Sequence, residues 1–275
     1  MTTNKDKVGE KMVINEATEA ILASRAYNYL LFQSLFGAEP TRQLLETAAG
    51  PATRESLELF RAGEGSRSSY AALLHEVETV LDTLNGCGDA AIEDLLSEYT
   101  RLFLGPLELK APPWESIYVS KKHQLFDENT LGVRNFYRSQ GFLPAEYPRV
   151  ADDSLALECA FMSQLGKRAQ EAYSVGVEAI EEGEESESGA EVVSESETNA
   201  TADTVITALD ASRRFLDEHL LVWLPDYLKA LAAIERAGFY LLIARLAWEY
   251  LREDRRLLDE LIAELESSRS TNDHG

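Results

Sequence analysis

Over almost the whole chain, apolar residues recur at intervals of three and four, and no segment alternates as a strand would. That period restricts the fold to packed helices. It begins at Asn15 and carries Leu22, Tyr29, Phe32 and Leu35 to Gly37. It resumes in a short helix after Pro40, which stops at Gly50-Pro51, and in a weaker one over Thr53–Phe60. A longer stripe (Leu73, Leu74, Val77, Val80, Leu81, Leu84) ends at Asn85-Gly86-Cys87-Gly88. The next helix starts at Asp89 and runs to about Leu104. Further helices are expected over Asp127–Gly141, with Gly141 as the left-handed cap residue, and from Leu155 to Tyr173, with Asp152 and Asp153 complementing its N-terminal dipole. After Thr204 the period returns. Pro225 suits the first turn of a helix to Arg236, and two more are expected over Gly238–Leu251 and Glu253–Leu265. The expected architecture is all-α: a single helical domain of about ten helices around one core.

Residues 1–14 are polar and expected to be disordered, and 268–275 to fray. Between them, the domain at 15–267 is interrupted at 174–203, where aromatics vanish and glutamate and serine repeat. Composition predicts an acidic disordered insert there, a loop expansion between two helices rather than a linker.

The formal net charge is −22. It excludes a nucleic-acid partner, which needs a basic footprint, and opposes docking on an anionic membrane. Lysine is scarce among the 26 basic residues. Such an acidic, lysine-poor surface is that of a protein from a high-salt cytoplasm, where salt screens self-repulsion; an ordinary acidic cytosolic protein with one acidic insert is the plainer reading. Two distant cysteines, Cys87 and Cys159, fit a reducing compartment and give neither a disulfide framework nor a zinc site. The N-terminus lacks the apolar core of a secretory signal, and the apolar run Phe239–Trp248 is too short to span a bilayer and contains Arg245. The expected location is the cytoplasm, without membrane insertion.

One stretch departs from the helical pattern. Glu98–Tyr118, EYTRLFLGPLELKAPPWESIY, starts as a helix, breaks at Gly105-Pro106 and runs through Pro112-Pro113, which no helix crosses. A short extended or turn segment is expected after Trp114. Tyr99, Phe103, Trp114 and Tyr118 flank the break. A rigid aromatic loop loses little entropy on binding and aromatics anchor interfaces, while a well-packed connection explains the same residues equally well. If the long helix packs nearby, Glu115, Asp152, Asp153 and Glu158 would supply an acidic rim for a basic, partly apolar peptide. Catalytic constellations are missing: there is no GxSxG, Walker loop or GxGxxG, and no histidine pair at helical metal spacing. His219 reads as a side chain bonded to a neighbour inside the bundle. No enzyme, cofactor or metal is expected.

Three ordered blocks carry a family resemblance. Tyr99–Pro106 followed by Ala111–Tyr118 resembles the YxxLFxGP…APPWESVY signature of the TorD/DmsD-type redox-enzyme maturation chaperones, which include the NarJ-like members. Asp127–Gly141 is similar to the family's next segment, and Phe215–Pro225, FLDEHLLVWLP, to its FLxxHLxxWxP block. The resemblance implies an all-helical cytoplasmic chaperone, a monomer or domain-swapped dimer. It would bind the twin-arginine signal peptide and apoprotein of a molybdenum-cofactor reductase of the dimethyl sulfoxide or trimethylamine N-oxide type, until the cofactor is inserted. The implied peptide-binding residues are Tyr99, Phe103, Trp114, Glu115, Ser116, Tyr118, Asp152 and Asp153. One departure stands out: where many members carry proline and histidine around the paired aspartates, this chain has Ala151 and Ser154. That leaves open an alternative, a helical assembly factor that binds a mature redox-enzyme subunit rather than its leader.

Overall fold

In a computed structural model of the chain, residues 16–61, 67–105, 108–120, 128–144, 151–185 and 195–272 are described. Among them the fold is all-α, with eleven α-helices, no strand and one isolated bridge between Trp114 and Ser154. The helices are α1 (Glu16–Gly37), α2 (Arg42–Ala49), α3 (Pro51–Glu58, extended by a tight 3₁₀ turn), α4 (Arg67–Gly86), α5 (Asp89–Tyr99), α6 (Glu115–Val119), α7 (Glu128–Ser139), α8 (Leu155–Glu185), α9 (Glu195–Phe215), α10 (Leu221–Ala232) and α11 (Gly238–Asn272). No helix among the described residues is long and apolar enough to cross a membrane.

Helix α1 lies along α8, α8 along α9, and α9, α10 and α4 pack on α11. The α1–α8 seam is close because it is lined by small residues. A Cβ on Gly166 would come within 3.0 Å of the Ala26 backbone, and one on Gly37 within 2.8 Å of Ala156 Cβ. Ser163 Oγ donates to the Ala26 carbonyl at 2.8 Å across the same seam. A buried polar knot ties α1 to α11. Arg25, with no exposed surface, donates through Nε to Asp254 Oδ1 (2.5 Å) and through Nη2 to Oδ2 (3.1 Å), and Tyr29 Oη donates to Oδ2 at 2.7 Å. Burial opposes the Arg25 charge, and Asp254 outweighs it, so the guanidinium stays protonated.

Several elements differ from the expected ones. The turn Thr100–Leu104 after α5 is π-helical, closed by Gly105 N–H on the Thr100 carbonyl. A second π turn, Leu216–Leu220, joins α9 to α10. Each π turn carries an extra residue and so turns the following side chains off the α period, a change that periodicity alone does not reveal. Pro225 lies inside α10 rather than at its start. It lacks the N–H and crowds the carbonyl four residues back, that of Leu221, where the π turn hands over to α10. The segment after Trp114 is helical, not extended. The expected pair of C-terminal helices is one continuous helix through Asn272, since Arg252 interrupts no backbone bond; residues 268–272 belong to it rather than to a frayed tail. The acidic insert is also corrected in part. Helix α8 runs past Tyr173 to Glu185 and α9 begins at Glu195, so 174–185 and 195–203 are helical, as the high helix propensity of alanine and glutamate permits. Residues 186–194, like the expected disordered segment 1–14 and the Asn15 cap, lie outside the described residues. Gly141 has φ +68°, the left-handed geometry expected of it.

Candidate functional site

The Pro-Pro-Trp-Glu segment is stitched to the turn that precedes α8. Leu155 N–H donates to the Pro113 carbonyl at 3.0 Å, and Glu115 N–H to the Asp153 carbonyl at 2.9 Å, on either side of the Trp114–Ser154 bridge. Proline supplies only carbonyls here, and the 113 carbonyl is the one used. Asp153 then does more. Its Oδ2 accepts the Ser116 N–H at 2.9 Å and the Thr130 hydroxyl at 3.3 Å. The aspartate therefore caps α6, a helix distant in sequence, and reaches α7 as well. Capping of α8 falls instead to Ser154, whose Oγ accepts the Leu157 N–H at 3.4 Å. The expectation that Asp152 and Asp153 serve the α8 terminus is thus corrected. Asp152 turns toward α7, where Oδ2 accepts Arg134 Nε at 2.5 Å and its carbonyl accepts the Tyr137 hydroxyl at 2.9 Å.

A second tie holds α6 from below. Glu115 is buried, and its Oε2 lies 2.9 Å from His219 Nδ1 on the second π turn. His219 is therefore bonded within the bundle, as read from the sequence. One turn further along, Trp223 Nε1 donates to Glu158 Oε2 at 3.0 Å. Burial pushes the Glu158 carboxyl well above the ordinary glutamate value, and the Glu115 charge pushes it further the same way. Over this base the Tyr118 ring stacks on Trp223, centroids 5.6 Å apart and planes within 18°, and meets Tyr227 edge-on at 6.1 Å.

These positions bring together Trp114, Glu115, Ser116, Tyr118, Asp152 and Asp153. Tyr99 and Phe103 belong to a different aromatic group: their ring neighbours are each other (4.9 Å), Tyr240 and, for Phe103, Phe36. Exposure divides the set again. Glu115, Ser116, Asp152, Asp153 and Glu158 are buried and form no acidic rim, which overturns that expectation; Trp114, Tyr118 and Phe103 keep part of their surface in solvent. Thr130, Arg134, Tyr137 and Trp223, absent from the expected site, complete the scaffold. The signal that marks them is their place in the blocks Asp127–Gly141 and Phe215–Pro225, which together face one short loop. Among the described residues, no group of histidine, cysteine, aspartate or glutamate is arranged to hold a metal.

Two clefts flank this scaffold without including its residues. One, of about 760 Å³, is lined by Thr100, Arg101, Glu108, Lys110 and Glu235, and Arg101 Nη2 donates to the Arg236 carbonyl at its edge. The other, of about 680 Å³, opens between α4, α5 and the start of α11.

The sequence profile of the nitrate reductase delta subunit family matches residues 67–229, more than half of the chain and all of the scaffold just described. The chain belongs to this family. It is similar to the "Chaperone protein TorD" of Vibrio cholerae serotype O1 (strain ATCC 39541), 24% identical over 240 residues that cover 87% of this chain and 94% of the relative. The TorD chaperone of Vibrio parahaemolyticus is 24% identical over 243 residues, 88% of this chain and 98% of that one. The "Tat proofreading chaperone DmsD" of Salmonella paratyphi A is 32% identical over a shorter stretch of 78 residues, 27% of this chain and 38% of the relative. With these relatives, the family member described here is a TorD/DmsD-type maturation chaperone for molybdoenzymes, not an enzyme. The resemblance read from the three blocks agrees with it.

Proposed function

We propose that this chaperone binds the twin-arginine signal peptide of a molybdenum-cofactor oxidoreductase in the cytoplasm and holds the apoprotein until the cofactor is in place. The observation that carries the reading is the fixation of the Trp114–Tyr118 segment. Asp153 and the Pro113 carbonyl hold its entry, and Glu115 with His219 holds its base. An aromatic surface pinned in this way pays little ordering entropy when a flexible leader docks on it. In this arrangement Trp114 and Tyr118 are the residues that touch the leader. Glu115, Ser116, Asp152 and Asp153, being buried, position them from behind. Ser154 does its work as a cap through its hydroxyl and needs no histidine for it.

Affinity purification of tagged chaperone with a client reductase, made either whole or without its leader, tests the proposal. Retention of the whole client and loss of the leaderless one is the expected result. Equal retention of both would instead support an assembly factor that recognises the mature subunit.

A further inference from the structure

Three carboxyl groups are buried around the base of α6. Glu158 on α8 and Asp153 in the turn before it have no exposed surface, and Glu115 on α6 has little. Among the described residues, Glu158 Oε1 and Asp153 Oδ1 meet no hydrogen-bond donor. The other Glu158 oxygen accepts Trp223 Nε1, and both Glu115 oxygens face His219 Nδ1, at 2.9 and 3.2 Å. The Glu158 and Glu115 carboxyls lie within hydrogen-bonding reach of each other. Two facing carboxyls bond only through a proton; without it they repel in a medium that screens little. His219 stands behind Glu115, and among the described residues no other cation pairs with these three groups, since Arg134 of α7 pairs with Asp152. Asp153 adds to the negative field. The Tyr137 hydroxyl of α7 donates to the Asp152 carbonyl, and the Cys159 thiol, next on α8, is pushed up by burial and stays neutral. Helix α8 is long and lies along α1 and α9, whereas α6 has five residues and rests on Asp153, Glu115 and the Tyr118 ring against Trp223 and Tyr227. Any parting of the two carboxyls is therefore taken up by α6.

We propose that the proton between Glu158 and Glu115 is a latch on α6: in place, it docks the Trp114–Tyr118 segment on α8 and α10, and its loss lets α6 swing away from them. The proton belongs to the pair rather than to either residue. Once α6 opens, both carboxyls meet water and regain ordinary glutamate behaviour, so docking takes up a proton that opening releases. Docking is complete below the ordinary glutamate value and weakens as pH climbs toward the higher value of the docked Glu158, which burial and the Glu115 charge set. The latch governs how the Trp114–Tyr118 surface is presented, whichever partner that surface takes.

Amide hydrogen exchange on the full-length chaperone, corrected for the intrinsic rate at each pH, reads the latch. The Glu115 and Ser116 N–H groups, both bonded to Asp153, report α6, and the amides of residues 158–165 report α8. The expected result is protection in α6 that is lower than in α8, insensitive to dilute urea, and falling by about tenfold per pH unit above the ordinary glutamate value in the wild type, while staying level in Glu158→Gln. The glutamine still donates to Glu115 and accepts from Trp223 but carries no titrating proton. Equal protection of α6 and α8 at every pH, which confines proton release to global unfolding, overturns the proposal. So does a fall of the same slope in Glu158→Gln, or α6 protection independent of pH in the wild type. Infrared spectra test the latch in the wild type alone: a protonated-carboxyl band must persist at pH values where exposed glutamate is ionised, and its absence overturns the proposal. None of these measurements uses a leader peptide, so their outcome is separate from whether the Trp114–Tyr118 segment binds one.

Discussion

Glu158 has no exposed surface, and its charge would stand beside those of Glu115 and Asp153. Its raised carboxyl pKa means that the folded chain holds a proton there which the unfolded chain has already released. Stability linked to Glu158 is therefore complete below the ordinary glutamate value and declines as pH climbs from that value toward the higher folded one. Substituting Glu158→Gln keeps an oxygen for the Trp223 N–H and removes the titration. In urea melts, the variant gains on the wild type between pH 5 and pH 8, the difference growing with pH. A constant difference across that range would mean that Glu158 does not take up its proton on folding. His219, at the Glu115 carboxylate, shows why this chemistry was only half legible in the sequence. A lone histidine in an apolar helix announces a bonded neighbour but not which one, because Glu115 lies 104 residues away in the chain.

At the scale of elements, the bundle depends on the knot that fastens α1 to α11. Arg25 and Asp254 have fully buried side chains. A buried pair adds little over apolar residues of the same shape, yet losing one partner strands the other. Asp254→Ala leaves the Arg25 guanidinium and the Tyr29 hydroxyl without their acceptor, and is expected to lower the unfolding free energy by roughly 3–5 kcal/mol. Chemical denaturation measures it, and Arg25→Met/Asp254→Leu should recover most of the loss. Helix existence was plain from the apolar period, since α1, α4 and α7 follow stripes such as Leu74, Val77 and Leu81. The joins were not. Thr100–Leu104 and Leu216–Leu220 widen into π turns, and the α period cannot register an added residue within a turn. Pro225 misled for the same reason: beside a π turn it fits inside a helix, where local rules put it at the start. The acidic run after Tyr173 reads as disorder by composition, while the helix bonds of α8 pass through it to Glu185.

Over the whole molecule, three blocks far apart in sequence meet at one loop: Pro113–Tyr118 is held by the turn before α8 and, around the second π turn, by His219 on Glu115 and the Trp223 ring against Tyr118, while Thr130 and Arg134 of α7 brace the turn through Asp153 and Asp152. That convergence joins in space the blocks that carry the family resemblance. It also separates them into parts that keep surface in solvent and parts that hold the loop, a division the sequence does not contain because it depends on burial. Asp152 and Asp153 look like recognition residues in the chain and are scaffold in the fold, whereas Trp114 and Tyr118 retain surface. Titration calorimetry of a synthetic twin-arginine leader against the folded chaperone and its Trp114→Ala variant tests this central claim most directly. Binding by the wild type, weakened about tenfold or more in the variant at unchanged melting temperature, is the predicted result; equal affinity in the two proteins would contradict it.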